Sequence, residues 1–296
     1  MSSPVDLHTH STASDGLLAP TALVHLAAER GVRVLALTDH DTVAGLDEAA
    51  EAAAEAAAEA DILLLAGVEL SATWRGQTVH VLGLGIDPCS VQLATLLQGL
   101  AEERLRRAEE IARKLDRAGL PGREVLVEVL AATPRPTRTH FARALVRMGL
   151  VHSQAAAFER HLGRGRAAAV ASRWPGLEEV LQCCLAAGGV ASLAHPLRYS
   201  LSAGARRALC ADFRQLGGLA MEVACGGDSP DRIATAASLA AKQGLAGSVG
   251  SDFHDPATPW NQPGRLAKLP ATIQPVWLDA AFPAQAAARA VEVLAA

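Results

Sequence analysis

Val5-Asp6-Leu7-His8-Thr9-His10 is followed, after a polar turn, by Pro20 to Arg30 and then by Val32-Arg33-Val34-Leu35-Ala36-Leu37-Thr38-Asp39-His40. The outer two segments are short β-type runs; the middle one has amphipathic helical spacing, a proline in its first turn and Gly31 at its close. Strand, helix, strand in this order is the repeating unit of α/β proteins. Working outward, a second helix spans Leu46 to Glu59, with Glu48, Glu51, Glu55 and Glu59 as a solvated acidic face. Further β-type runs follow at Ile62 to Val68, Val79 to Leu84, Val190 to Ala194, Leu219 to Val223 and Leu245 to Val249. Together with Val5 to His8 and Val32 to Leu37 they make seven strands. The rhythm breaks at Asp87-Pro88. From 88 to 176 the chain reads as helices only: Val91 to Ala118, then Thr139 to Met148 and Ser153 to Leu162, the last two preceded by Thr133-Pro134-Arg135-Pro136-Thr137. The first of these carries a charged face, Glu102 to Lys114, that reads as solvated. The β/α rhythm resumes at Leu177, and the tail ends in a helix, Ala284 to Leu294, expected on the outside. The chain therefore divides into an α/β domain, 1–87 with 177–296, and an all-helical insertion, 88–176.

Composition excludes several function classes. Of the 296 residues 50% are hydrophobic and 20% charged, too apolar for a disordered chain. The 27 basic and 31 acidic residues leave a net charge of −4, which argues against a surface that binds nucleic acid or membrane throughout. Aromatic residues make up only 3%, which weakens any reading built on stacked bases. Met1 to His8 lacks the basic start and apolar stretch of a signal peptide, and no apolar run approaches the roughly 20 residues of a membrane span, so a cytoplasmic protein is expected. The five cysteines show no CxxC spacing and read as plain buried or half-buried thiols.

The chemistry gathers where the apolar runs end. His8 and His10 are two residues apart, so in an extended chain both imidazoles project to one side and can reach one ion. Asp15 follows in Thr12-Ala13-Ser14-Asp15-Gly16, a turn that can fold its carboxylate back over the pair. The second strand ends in Asp39-His40-Asp41 and the third in Gly67-Val68-Glu69; Thr73-Trp74-Arg75-Gly76-Gln77 then reads as a hairpin turn that sets Glu69 nearly opposite His80. Later strands end in His195-Pro196 and in Asp252-Phe253-His254, where the two-apart spacing recurs. Six of the ten histidines thus stand in or at the ends of strands, beside Asp15, Glu69 and Asp252. The strands of a parallel barrel deliver their C-terminal ends to one mouth, where these side chains would converge. His25, His152 and His161 read as helix residues outside the site.

Taken together, DLHTHSTASDG, LTDHD, GVELS, TVHVLGLGI, LAHP and GSDFH resemble the PHP (polymerase and histidinol phosphatase) superfamily of metal-dependent phosphoesterases, over residues 5–87 and about 177–255. The resemblance implies a distorted seven-stranded (β/α)7 barrel. The insertion, its segment Thr137-Arg138-Thr139-His140-Phe141-Ala142-Arg143 and Ala194-His195-Pro196-Leu197-Arg198-Tyr199 look like the branch of 3′,5′-nucleoside bisphosphate phosphatases and the exoribonuclease RNase AM. By that resemblance the metal ligands are His8, His10, Asp15, His40, Glu69, His80, His195, Asp252 and His254, with Asp15, His40, Glu69 and His254 closest to catalysis. They divide into His8, His10, Glu69 and Asp252 for one ion; Glu69, His80 and His195 for a second; and Asp15, His40 and His254 for a third. Imidazole and carboxylate without thiolate suit two to three divalent ions, manganese by the family's habit, with zinc or iron also compatible. Such a centre activates water and neutralises charge on a phosphoryl group.

Arg135, Arg138, Thr139, His140 and Arg143 in the insertion, with Arg198 beside His195, offer cationic and helix-start donors for a substrate phosphate. The expected activity is removal of the 3′-phosphate from a 3′,5′-bisphosphate such as pAp, or 5′–3′ release of nucleotides from short RNA. The expected partners are small nucleotides or short RNA, with neither duplex DNA nor membrane. The alternatives are a histidinol-phosphate phosphatase and a non-catalytic, metal-stabilised nucleotide- or RNA-binding module. The sequence leaves the oligomeric state open.

Overall fold

The computed structural model describes residues 3–295, and for 57–60 the backbone alone, so the Glu59 end of the acidic face lies outside the described residues. The chain forms two compact units, Met1–Leu96 with Pro175–Ala296, and Leu97–Trp174. The first seven elements are β1 (Val5–Thr9), α1 (Pro20–Glu29), β2 (Val34–Leu37), α2 (Leu46–Ala60), β3 (Leu63–Trp74), β4 (Gln77–Leu84) and α3 (Val91–Arg117), whose first turns belong to the first unit. The second unit adds α4 (Gly122–Ala132), α5 (Arg138–Arg147) and α6 (Gln154–Ala157), the last continued by a wide turn at Phe158–Leu162. The first unit resumes with α7 (Leu177–Ala186), β5 (Val190–Leu193), α8 (Ala203–Gln215), β6 (Ala220–Cys225), α9 (Pro230–Gln243), β7 (Ala246–Gly250) and α10 (Ala284–Ala295).

The seven strands form one sheet in sequence order, and parallel bridging of Thr9 to Phe253, just past β7, brings its two edges together into a nearly closed barrel. Every residue of β1, β2, β5, β6 and β7 is buried, as expected of strands covered on both faces. Pairing is parallel throughout except around β4, which is antiparallel to both β3 and β5. The hairpin expected at Thr73 to Gln77 is what sets this exception. β3 and β4 are a hairpin too tightly joined for a crossover helix, so β4 must run backwards. Its N-terminal half then lies at the mouth to which the parallel strands bring their C-terminal ends. The helices follow ordinary capping rules: Pro20 opens α1, Ser202 Oγ accepts the Ala205 N–H at 3.1 Å to cap α8, and Gly244 closes α9 at φ 66°.

The second unit has its own core, in which Ile111, Leu115, Val125, Val129, Phe141 and Leu145 are buried together. The sequence reading passes over α4, whose Pro121-Gly122 start looks like a turn. It also takes the charged face of α3 as wholly solvated, whereas Arg104 is buried with its guanidinium 5.3 Å from the Trp174 ring centre. On the same face Lys114 donates to the Ala169 carbonyl at 2.5 Å and Arg107 to that of Val170 at 3.4 Å, tying down a segment without regular structure. At the start of α5, Thr137 Oγ1 accepts the His140 N–H at 3.3 Å and His140 Nδ1 accepts the Thr137 N–H at 3.1 Å. This is a capping box with histidine where glutamate is usual. His152 lies in a bend and not on a helix; His161 is in the wide turn and His25 on α1. Four cysteines are buried, and Cys89 is exposed. Among the described residues no helix is long and apolar enough to cross a membrane.

Candidate metal centre

His8 and His10 sit on one side of the end of β1, fully buried, with their Nε2 atoms 3.0 Å apart. The turn after β1 is folded by Asp39, whose Oδ1 accepts from the Ser11 N–H at 2.8 Å and the Ser14 hydroxyl at 2.5 Å. A Cβ at Gly16 would run into the His10 carbonyl, so the turn closes tightly and carries Asp15 to 3.2 Å from His254 Nε2 and 3.9 Å from His40 Nε2. His40 follows β2 and bridges to Glu69; Asp41 beside it has φ 52° and takes the Ser71 N–H at 2.7 Å on its carboxylate.

Glu69 is the hub. It has no exposed surface. Its Oε1 lies 2.9 Å from His80 Nδ1 and 3.1 Å from His195 Nε2, and its Oε2 lies 2.9 Å from His40 Nδ1, 3.2 Å from His10 Nε2 and 3.3 Å from His8 Nε2. The hairpin register sets Trp74 opposite Gln77, so Ser71 faces His80 and Glu69 faces Leu82. The expectation that Glu69 and His80 are near-opposite is thus off by one diagonal step. They still meet, because residues two apart share a face of the sheet. Asp252 Oδ1 lies 3.4 Å from His10 Nε2 and 3.5 Å from His254 Nδ1. His195 and Asp252 both have positive φ, 30° and 53°, a conformation costing non-glycine residues about 1 kcal/mol or more that aims their side chains into the cluster.

The electrostatics are those of converging donors. Burial works against charge on Asp15, yet His40 and His254 hold its carboxyl well below the usual range. Burial likewise opposes charge on Glu69 and Asp252, but the surrounding imidazoles, His40 and His8 foremost at Glu69 and His8 and His10 at Asp252, keep both well below it. Burial opposes charge on His10, but the adjoining carboxylates of Asp252 and Glu69 push it up to about 9, whereas burial prevails at His80 and lowers it. Even so, Asp15 Oδ1, Glu69 Oε2, His40 Nδ1 and His195 Nδ1 are buried without an aligned hydrogen bond. At Asp15 Oδ1, Glu69 Oε2 and His40 Nδ1, close approach without hydrogen-bond geometry leaves lone pairs crowded on a shared volume, and buried polar atoms are costly unless something satisfies them. Donor atoms close to within 4.8 Å in four sets: His10, Asp15, His40 and His254; His8, His10 and Asp252; His8, Glu69 and His195; His40, Glu69 and His80. Nitrogen and carboxylate donors without thiolate fit divalent metal ions.

Two supporting groups escape the sequence reading. Glu222 on β6 is buried, with Oε1 2.9 Å from His8 Nδ1 and Oε2 accepting the His195 N–H at 2.6 Å. One carboxylate thereby braces two donors, and by holding Nδ1 it fixes the tautomer that leaves His8 Nε2 for the cluster. Gly250 makes room for this, since a Cβ there would collide with His8 and with Glu222 Oε1. The signal was a lone acid in the apolar run Leu219 to Val223. Tyr199 is the second: its hydroxyl donates to the Ala194 carbonyl at 2.9 Å and accepts the His80 N–H at 2.8 Å, joining the strand segments that carry His80 and His195.

The residues expected to bind phosphate are placed as follows. Arg198 pairs with Asp252 Oδ2 and donates to the Gly226 carbonyl at 2.8 Å. In the second unit Arg138 lies at the exposed start of α5, its guanidinium 5.8 Å from the Phe158 ring centre; Thr139 follows, His140 is held in the capping box, and Arg143 lies one turn on. Arg135 precedes them, its backbone N–H held by Thr133 Oγ1 at 3.0 Å.

The family model for the PHP domain matches residues 6–121. Beyond that segment, a 5′–3′ exoribonuclease of Haemophilus influenzae is 44% identical over 94% of this chain and 99% of its own length. The chain belongs to the PHP-domain family. A 3′,5′-nucleoside bisphosphate phosphatase of Chromobacterium violaceum is 40% identical over 93% of this PHP-domain chain and 95% of its own. A solved structure described as an amidohydrolase from Chromobacterium violaceum, with bound sulfate and no metal, is 39% identical, covers 97% of both chains and superposes with a TM-score of 0.87. Relatives of these two activities are hydrolases of phosphoric esters, and this chain is an enzyme of that class.

Proposed function

We propose that this PHP-domain chain removes the 3′-phosphate from 3′,5′-nucleoside bisphosphates and releases nucleotides from the 5′ ends of short RNA, with His8, His10, Asp15, His40, Glu69, His80, His195, Asp252 and His254 as metal ligands. The observation that carries the reading is the buried convergence of these side chains around Glu69, with carboxylate oxygens left unsatisfied. These donors would hold two to three divalent ions, manganese first, which when bound would supply an activated water and neutralise charge on the phosphoryl group.

The protein's own groups do the rest. Glu69 ties together donors from β1, β4 and the segments after β2 and β5, so it sets the shape of the centre. Asp15, His40 and His254 form a subset on the Asp15 side, where a carboxylate and two imidazoles are close enough to hold one ion and so fix where the attacking water would stand. A bisphosphate carries a second anion away from the reacting phosphorus. Arg138, Thr139, His140 and Arg143 are donors of the kind such an anion needs, at a helix start whose dipole favours anions and in guanidiniums that bind phosphate bidentately. Arg198, already on Asp252, steadies that ligand and keeps positive charge beside it.

The test is steady-state hydrolysis with added Mn²⁺, comparing pAp, AMP, histidinol phosphate and a 5′-phosphorylated oligoribonucleotide, with elemental analysis of the protein. Turnover of pAp or the oligonucleotide well above both monoesters is expected. Preference for histidinol phosphate would leave the metal centre standing and remove the bisphosphate reading; no turnover in fully loaded protein would favour a binding module.

A further inference from the structure

Four tryptophans are present, and three are core residues: Trp74, Trp174 and Trp277 are 6%, 7% and 6% exposed. Trp260 is 59% exposed. Of the four indoles it alone is left largely in water, with an apolar face that a flat ring can cover. Its place sharpens the point, because it lies in the loop that leaves β7 and carries the donors Asp252 and His254.

That loop is built to hold its shape. The Gln262 side chain donates to the carbonyls of Asp255, Pro256 and Thr258 at 3.3, 3.1 and 2.6 Å, while its own Oε1 accepts from Arg30. Ala257 N–H donates to Asp255 Oδ1 at 2.7 Å, Arg265 holds the Pro259 carbonyl at 2.6 Å, and Pro256 and Pro259 fix two backbone torsions. Asn261, next to Trp260, donates to the Asp252 carbonyl at 3.3 Å and so ties the loop directly to the metal centre. Beneath lies Gly226-Gly227. A Cβ on Gly227, whose φ is 76°, would stand 3.1 Å from the indole Cδ1, and one on Gly226 would stand 3.0 Å from Asn261 Cγ. The five-membered end of the indole therefore packs against bare backbone at Gly227, while most of the side chain meets solvent. Arg198, which pairs with Asp252, donates to the carbonyl of the same Gly226.

We propose that Trp260 is a stacking platform for a nucleobase of the substrate. The inference rests on the nucleotide reading above and adds to it. Donors and arginines account for phosphate and leave the base unrecognised, whereas an indole carried on this braced loop, one residue from a contact with Asp252, offers a π-face that any base can use. Because stacking is tolerant of sequence, this platform selects nucleotides over other phosphate esters without selecting among bases.

The experiment compares wild type with Trp260→Ala and Trp260→Phe on pAp, on a 5′-phosphorylated oligoribonucleotide and on ribose 3,5-bisphosphate, which lacks a base; metal content is measured for each. Trp260→Ala is expected to raise KM for pAp and the oligonucleotide about tenfold. Its KM for the base-free compound and its metal content should stay at wild-type values, with Trp260→Phe recovering most of the loss. Unchanged KM for pAp and the oligonucleotide, or an equal rise for the base-free compound, overturns the proposal while wild-type turnover of pAp keeps the nucleotide reading. If wild type turns over no nucleotide at all, the nucleotide reading fails and this inference falls with it.

Discussion

The barrel mouth and the helical unit both collect charged side chains, but they use them in opposite ways. In the helical unit the charges are largely spent on the unit itself: Arg106 pairs with Glu103 at 2.6 Å, Arg147 with Glu128 at 2.7 Å, and Lys114 caps the Ala169 carbonyl. At the mouth, carboxylates and imidazoles crowd a shared volume, and Glu69 Oε2 and Asp15 Oδ1 remain buried without a hydrogen bond. The first pattern stabilises a scaffold, and the second is worth its desolvation cost only when a cation completes it. A cluster of charge points to chemistry, then, where its members fail to satisfy one another.

The comparison breaks most sharply at the donors. Asp15→Asn or His254→Ala should lower kcat on pAp by roughly a thousandfold or more with the fold intact by circular dichroism, because each removes a group from the reacting centre. Full activity in either variant would contradict the assignment. A smaller effect is expected one shell out. Glu222→Gln cannot accept from both the His8 ring and the His195 N–H, so metal affinity in a chelator competition should fall about 10- to 100-fold. Unchanged affinity would make Glu222 a core residue only.

Protons sharpen the contrast further. In the metal-free protein His10 titrates at about 9 against an ordinary 6.5, so its stabilisation is complete below 6.5 and is lost as pH rises through 9. Thermal unfolding of metal-free protein should therefore weaken between pH 6.5 and 9, with metal affinity rising over the same range as the competing proton leaves. The metal-loaded protein, in which that proton is displaced, should not show this loss; a parallel decline in both forms would contradict the account. The smallest effect falls in the helical unit. Arg138→Ala should raise KM for pAp about tenfold and leave AMP nearly unchanged, the size of one charge-assisted phosphate contact. Equal effects on both substrates would return Arg138 to the scaffold.

What the sequence discloses follows the same division. His8 with His10, and Asp252 with His254, are legible because a strand or its extension repeats every two residues, so spacing alone puts each pair on one side. His80 stands inside its strand, and it is legible because the hairpin turn makes β4 run backwards, which brings its early residues to the mouth. The pairing of Glu69 depends on a turn at Arg75 and Gly76 with φ of 47° and 74°, and a shift of one residue in locating that turn moves the register by two. Glu222 is illegible as a partner of His8 because nothing local in a strand says which side chain lies across a closed barrel. Trp260 is hidden for a related reason. Its exposure comes from Gln262 and a glycine pair some thirty residues away in sequence, and a tryptophan between prolines and an asparagine reads equally well as core.

The central claim is that the donors around Glu69 form a metal-dependent phosphoesterase centre. The most direct measurement is pAp hydrolysis by chelator-stripped protein as Mn²⁺ is titrated back. The account predicts no turnover without metal and recovery that saturates at two to three equivalents per chain. Full turnover by stripped protein, or none at any metal loading, would contradict it.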